Sequence, residues 1–244
     1  MEERIDKLLI QRGLVSSRVR AEQIIRETGV KVNGKLINKT GRKVPVDSTI
    51  ELIAEELPWV SRGALKLIEA LDHWSPEIKE GVFMDIGAST GGFSEVLLSH
   101  GANKIYCVDV GKDQLHSKLL SDPRIINLER THVRDLTHKI IPEQCDGCVI
   151  DVSFISLEKV LPFLHPYLKE NAFVIALVKP QFEVGKENLA KGGIVKNKEL
   201  YPITIEKIKQ VSTVNQLDYV DHIPSPILGG DGNMEFLMLL KRGS

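Results

Sequence analysis

The stretch D-I-G-A-S-T-G-G-F, Asp85 to Phe93, constrains the fold most, because it joins an apolar strand, Val82 to Met84, to a helical run, Ser94 to His100. Glycines at such a junction allow a sharp turn and let a ligand approach the backbone. Further apolar runs of strand length recur at 105–110, 125–128, 148–152 and 173–178. Strand and helix in alternation predict an α/β domain with a doubly wound, Rossmann-like sheet covered on both faces. The runs 217–222 and 235–240 flank a turn-rich segment and predict a closing hairpin, with a final antiparallel strand that completes a seven-stranded sheet.

The turn reads G-x-S-x-x-G, so the middle glycine of a pyrophosphate-binding turn is missing, and no Gly-Lys-Ser/Thr follows. A ligand without phosphates fits this pattern better than a dinucleotide. Asp85, Gly87, Ala88, Ser89, Thr90, Gly91, Gly92 and Phe93 form the candidate binding turn. Asp109, followed by Val110, ends the second strand, where an acid can accept from both hydroxyls of a ribose. Asp135, after the third strand, is placed for an adenine amino group. Together these residues describe an adenosine pocket.

In open parallel sheets the loops beyond the carboxyl ends of the strands carry the chemistry. Asp151 in V-I-D-V-S-F ends the fourth strand and Lys179 in A-L-V-K-P-Q-F-E ends the fifth. Glu235 in G-N-M-E-F-L begins the last strand, which starts at that same edge if it runs antiparallel. Arg62 and Lys66 are read as one turn apart on one face of the helix preceding the sheet, able to reach over the same cleft. A desolvated Lys179, oriented by Asp151 and Glu235, suits the removal of a proton from a poorly nucleophilic hydroxyl. The basic loop 185–198, with Lys186 and Lys191, is expected to be flexible and able to close over a bound substrate.

Charge is divided unevenly. Residues 1–45 carry eleven Lys or Arg against five Asp or Glu, a net of +6, although the whole chain has a formal charge of -1. That front segment reads as a short helix from Ile5, a second helix capped by Ser16 and Ser17, a hairpin around Asn33-Gly34 and a strand at 49–52. Arg4, Arg18, Arg20, Arg26, Lys31 and Lys35 make a candidate surface for a phosphate backbone.

The run R-I-D-K-L-L-I-Q-R-G-L-V-S-S-R from Arg4 to Arg18, with V-K-V-N-G-K from Val30 to Lys35, resembles the S4 RNA-binding domain, which implies structured RNA as ligand. S-R-G-A-L-K-L, D-I-G-A-S-T-G-G-F, V-I-D-V-S-F, K-P-Q-F-E-V-G and G-N-M-E-F-L resemble the FtsJ-type 2′-O-methyltransferases, in particular the TlyA family. That likeness implies S-adenosylmethionine as cofactor, a Lys66, Asp151, Lys179, Glu235 tetrad, and 2′-O-methylation of cytidine in ribosomal RNA or ribosomal subunits. It implies an S4-like domain over 1–56, a linker at 57–60 and a catalytic domain over 61–244. The linker keeps the Trp-Val of the family's interdomain tetrapeptide in Trp59-Val60 but lacks its leading arginine. The short termini resemble the family form associated with large-subunit RNA.

Other classes fit less well. No apolar stretch is long enough to span a bilayer and no secretory pattern opens the chain, so no membrane association and a cytoplasmic location are expected. Three cysteines, Cys107, Cys145 and Cys148, do not make a disulfide framework, and C-D-G-C without a second pair is not read as a metal site. The rival readings are a non-catalytic RNA-binding assembly factor and, suggested by the family's traditional name, a membrane-active haemolysin.

Overall fold

The computed structural model describes residues 1–15, 18–27, 29–52, 58–230 and 232–243, and the chain divides into two compact units, Met1–Pro58 and Trp59–Ser244. The expected caps Ser16 and Ser17, and Leu57 of the expected linker, lie outside the described residues.

The first unit contains β1 (Glu2–Arg4), α1 (Ile5–Gln11), α2 (Arg18–Glu27), β2 (Val30–Val32), β3 (Lys35–Ile37), β4 (Lys43–Pro45) and β5 (Ile50–Leu52). β2 pairs with β3 and β5, while β1 and β4 form a separate two-stranded sheet. The hairpin turn has Asn33 at φ 49° and Gly34 at φ 76°, both left-handed as a type I′ turn requires. Strands β1 and β4, three residues each, carry no readable alternation, and only their pairing defines them. Ile5, Leu8, Leu9, Ile24, Ile25 and Val30 bury the core of this unit.

The second unit begins with α3 (Ala64–Trp74) and continues β6 (Val82–Ile86), α4 (Gly92–Ser99), β7 (Lys104–Val108), α5 (Ser117–Leu120), β8 (Ile125–Leu128) and β9 (Cys145–Ile150). It closes with β10 (Leu168–Val178), α6 (Pro180–Glu183), α7 (Leu200–Val214), β11 (Leu217–Pro224) and β12 (Phe236–Arg242). The seven strands lie in the order β11-β12-β10-β9-β6-β7-β8. All neighbours from β10 to β8 are parallel, whereas β12 runs antiparallel to β10 and to β11. The chain's first strand in this sheet, β6, is central, and strand order reverses beside it, which places the ligand crevice at its carboxyl end.

Period-two alternation splits each strand between two cores. Met84, Ile86, Val108, Ile150, Val178 and Met238 pack on one face with Ile205 and Ile208 of α7. Phe83, Ile105, Val149, Ile175 and Leu237 pack on the other, under Leu67 and Leu71 of α3 and Val96 and Leu97 of α4. Trp59 and Val60 pack against this second core. The crossover from β9 to β10 contains short 3-10 turns at 157–159, 161–163 and 165–167 in place of a full helix. Pro162 and Pro166 each lack the N–H that a continuing α-helix would use.

Candidate active site

The glycine turn leaves β6 at Ile86 and enters α4 at Gly92, with Gly87 at φ 84° and Gly91 at φ 95°. The protein's own packing presses on these glycines. A Cβ on Gly87 would lie 2.5 Å from the Asp151 carbonyl oxygen, one on Gly91 would lie 2.1 Å from Leu119 Cδ1, and one on Gly92 would lie 2.1 Å from Ser61 Oγ. Ser89 occupies the position of the missing glycine and still adopts a left-handed backbone, φ 49°, with its N–H donating to Asp109 Oδ2 at 2.8 Å. Ser89 and Val110 are exposed, Thr90 is half-buried, and Ala88, Gly91, Gly92 and Phe93 are buried.

Asp85 supports the turn from beneath. Its carboxyl is fully buried, Oδ2 accepts from Ser94 Oγ at 2.6 Å, and Oδ1 has no partner. Burial pushes its pKa up to about 7, with Asp151 and Asp109 adding to the rise. Asp109 is half-buried and also accepts from Gly111 N–H at 2.7 Å. Each of its oxygens has a lone pair left for a further donor. Asp135 sits exposed in a short 3-10 turn, 133–135, after β8. Two carboxylates beside a turn without any side-chain cation fit a ligand that presents hydroxyl and amino donors, as adenosine does.

The four tetrad residues form two close pairs. Lys179 Nζ lies 2.5 Å from Asp151 Oδ1 and donates to Ser153 Oγ at 2.9 Å, while Lys66 Nζ donates to Glu235 Oε2 at 2.6 Å. Side-chain exposures of 8% for Lys66, 3% for Glu235 and 9% for Lys179 place both pairs largely out of water; Asp151, at 23%, is the most open of the four. Register explains the grouping. Ile150, Val178 and Phe236 pack toward the α7 face, so the next residue along each strand line, Asp151, Lys179 and Glu235, emerges on the face covered by α3. Val178 pairs directly with Phe236, which sets Glu235 beside the end of β10. The expectation that Glu235 orients Lys179 is corrected: Lys66, reaching down from α3, takes Glu235, and Ser153 serves Lys179.

Arg62 precedes α3, in a turn where Leu65 N–H donates to the Arg62 carbonyl at 3.1 Å, so it does not share a helix face with Lys66. In the basic loop Leu189 and Val195 form an antiparallel bridge, and Lys186 and Lys191 are exposed. In the first unit, Arg4 makes a two-pronged bond to the buried Asp6, at 3.0 and 2.8 Å, and holds that carboxyl below the usual range. Arg18 lies 3.7 Å from Asp6 and 3.1 Å from Glu22. These two arginines thus brace the unit as well as carrying charge. Lys31 and Lys35 are exposed on the hairpin, and the side chains of Arg20 and Arg26 lie outside the described residues.

Four supporting residues escaped the sequence reading. Ser94 stands just after the quoted glycine motif and Ser153 within V-I-D-V-S-F, but neither carries a charge to mark it. Gln181, 8% exposed, donates from Nε2 to Glu235 Oε1 at 3.5 Å. Glu95 in α4 accepts from Val60 N–H at 2.6 Å and from Lys118 Nζ at 2.5 Å, which fastens the Trp-Val segment to the helix behind the glycine turn. The three cysteines are buried, and burial raises all three thiol pKa values, that of Cys145 to about 12. Among the described residues no group of three or more His, Cys, Asp or Glu is placed to hold a metal ion.

A seven-stranded sheet with one reversed strand, an acid at the end of its second strand and a cation-free glycine turn defines a methyltransferase of the doubly wound class. Residues 59–242 match the FtsJ-like methyltransferase model and residues 3–50 match the S4 domain. The chain belongs to the FtsJ-like methyltransferase family and carries an S4 domain ahead of it. It is 38% identical to the 16S/23S rRNA (cytidine-2′-O)-methyltransferase TlyA of Mycobacterium tuberculosis, covering 98% of this chain and 89% of the relative. It is 34% identical to the 23S rRNA (cytidine-2′-O)-methyltransferase TlyA of Campylobacter jejuni, over 93% and 95% of the two chains. A solved structure described as a hemolysin of Streptococcus thermophilus superposes with a TM-score of 0.79 at 36% identity, covering all of this chain and 89% of the other.

Proposed function

We propose that this chain transfers the methyl group of S-adenosylmethionine to a ribose 2′-hydroxyl of ribosomal RNA, at a cytidine of the 23S molecule. The observation that carries the reading is the pair of desolvated lysine–carboxylate contacts, Lys179 with Asp151 and Lys66 with Glu235, on the sheet face beside the glycine turn. Support for the substrate comes from the S4 domain and from two relatives whose names both include 23S rRNA.

When bound, the cofactor supplies a methyl group on a positively charged sulfur. Ser89 and Thr90 of the turn, with Asp109 and Asp135, are the residues to hold its adenosine. Asp151 and Ser153 fix Lys179 Nζ, which in its neutral amine form, once its own extra proton has passed to solvent, would take the proton from the 2′-hydroxyl as that oxygen accepts the methyl group. The Lys66–Glu235 pair keeps a fixed dipole at the same edge in place of mobile water. Lys31 and Lys35, with other basic residues of the first unit, serve the RNA backbone by charge alone.

The test is transfer of labelled methyl from S-adenosylmethionine to ribosomal subunits and to purified 16S and 23S RNA, followed by mapping of ribose methylation. Label at a 23S cytidine ribose, lost with Lys179→Ala, is the expected result. Tight RNA binding with no transfer to any of these substrates would favour the assembly-factor reading. Label found on a base would remove 2′-O chemistry.

A further inference from the structure

The basic loop is tied to the rest of the sheet edge by a side chain from another segment. Within the loop, Ala190 N–H donates to Ile194 O at 2.7 Å and Lys196 N–H to Asn188 O at 3.0 Å. Asn233, only 1% exposed, spends its whole amide on the loop backbone: Oδ1 accepts from Val195 N–H at 3.0 Å and Nδ2 donates to the Gly193 carbonyl at 2.9 Å. Its own carbonyl accepts from Gly229 N–H at 2.8 Å. Gly229 in turn lies against Glu235, where a Cβ would stand 2.4 Å from Oε1. Glu235 follows Asn233 by two residues, a span of roughly 7 Å at most. The lysine-bearing loop is therefore hydrogen-bonded to Asn233, and two steps of chain join Asn233 to the carboxylate that meets Lys66.

We propose that Asn233 is a positioning residue that couples the seating of RNA phosphates on the 185–198 loop to the placement of Glu235 against Lys66. The inference rests on the RNA methyl-transfer reading above. Exposed Lys186 and Lys191 supply the charge that phosphate attracts, and their backbone is held where its shape is felt at Asn233. A displacement of Glu235 by a fraction of an ångström alters the geometry that the Lys66 ammonium presents to the acceptor ribose. A misplacement of about 1 Å, even when caused at a distance, lowers rate about 100-fold. Backbone-directed bonding makes the link read the loop's conformation rather than any one side chain.

The test is a double-mutant cycle on the full chain, combining Lys191→Ala with Asn233→Ala, read as kcat and KM for methyl transfer to large ribosomal subunits. Asn233→Ala is expected to lower kcat about 10- to 100-fold with cofactor affinity changed less than about twofold, and Lys191→Ala is expected to add little in that background. Independent, additive effects of the two substitutions would overturn the coupling. So would wild-type kcat in a folded Asn233→Ala protein.

Should Asn233→Ala fold poorly, Asn233→Asp keeps the acceptor for Val195 and loses the donor to Gly193; an intermediate loss of kcat is expected, and an unchanged kcat would overturn the proposal. Hydrogen exchange supplies a readout free of turnover. RNA is expected to protect both 185–198 and 225–236 in the wild type, but only 185–198 in Asn233→Ala. Protection of both segments in a wild-type chain that moves no methyl would remove the catalytic reading and uphold the link. Protection of the loop alone in the wild type would overturn the link whatever the transfer rate.

Discussion

The Lys66 ammonium lies 2.6 Å from Glu235 Oε2, and 169 residues of chain separate the two. Both side chains are more than nine-tenths withdrawn from water, so each charge depends on the other. Removing either partner alone leaves an uncompensated buried charge, which costs about 3–5 kcal/mol. Lys66→Met and Glu235→Leu should each lower the urea midpoint strongly, while the double variant regains most of the stability and remains inactive in methyl transfer. A double variant no more stable than the singles would show that the pair is not the source of the loss.

Lys179→Ala should reduce kcat by about 100- to 10,000-fold, the range for a lost general base, with binding of S-adenosylhomocysteine nearly unchanged by calorimetry. Ser153→Ala removes only the hydroxyl that accepts from Lys179 Nζ, and a loss below about tenfold is expected because Asp151 still holds the ammonium.

Asp85 makes stability depend on pH in an unusual direction. Its folded pKa, about 7, stands above the ordinary value of 3.8 because the carboxyl is buried. The native state therefore keeps a proton that the unfolded chain has lost, and the stability this group contributes is full below about pH 4 and is lost as pH rises through about 7. Urea titrations between pH 5 and 8 should show this decline in the wild type and a flatter profile in Asp85→Asn. Parallel profiles would contradict the assignment.

Gly87→Ala should destabilise the chain by about 2 kcal/mol or more and weaken cofactor binding, since the backbone is left-handed and the new methyl meets the Asp151 carbonyl. Ser89→Gly, at a site already left-handed, should change stability by less than about 1 kcal/mol. Thermal melts with and without S-adenosylhomocysteine separate the two effects.

Much of the fold was legible because it is written locally. Alternating strand and helix runs predict the parallel sheet, and the Asn33-Gly34 turn predicts its hairpin, since both signals need only neighbours in sequence. Short strands such as β1 and β4 were not legible, because three residues carry no period and exist only through pairing. The crossover from β9 to β10 departs from the strand-and-helix rhythm where Pro162 and Pro166 interrupt it.

The sequence by itself gathered Asp85, Asp109, Asp151 and Lys179 at one sheet edge, because each lies at or next to the carboxyl end of a strand that the alternating pattern makes parallel; Glu235 joins them because β12 runs antiparallel to β10. Only the tertiary structure decided who meets whom there. Lys66 descends from a helix that the sequence could aim over the cleft without naming the carboxylate it meets; it takes Glu235, so Lys179 is left to Asp151 and Ser153. Asn233 and Gln181 likewise acquire roles from segments distant along the chain. The physical reason is that strand ends are set by local pattern, whereas a buried charge or amide takes the partner that long-range packing brings within hydrogen-bonding distance.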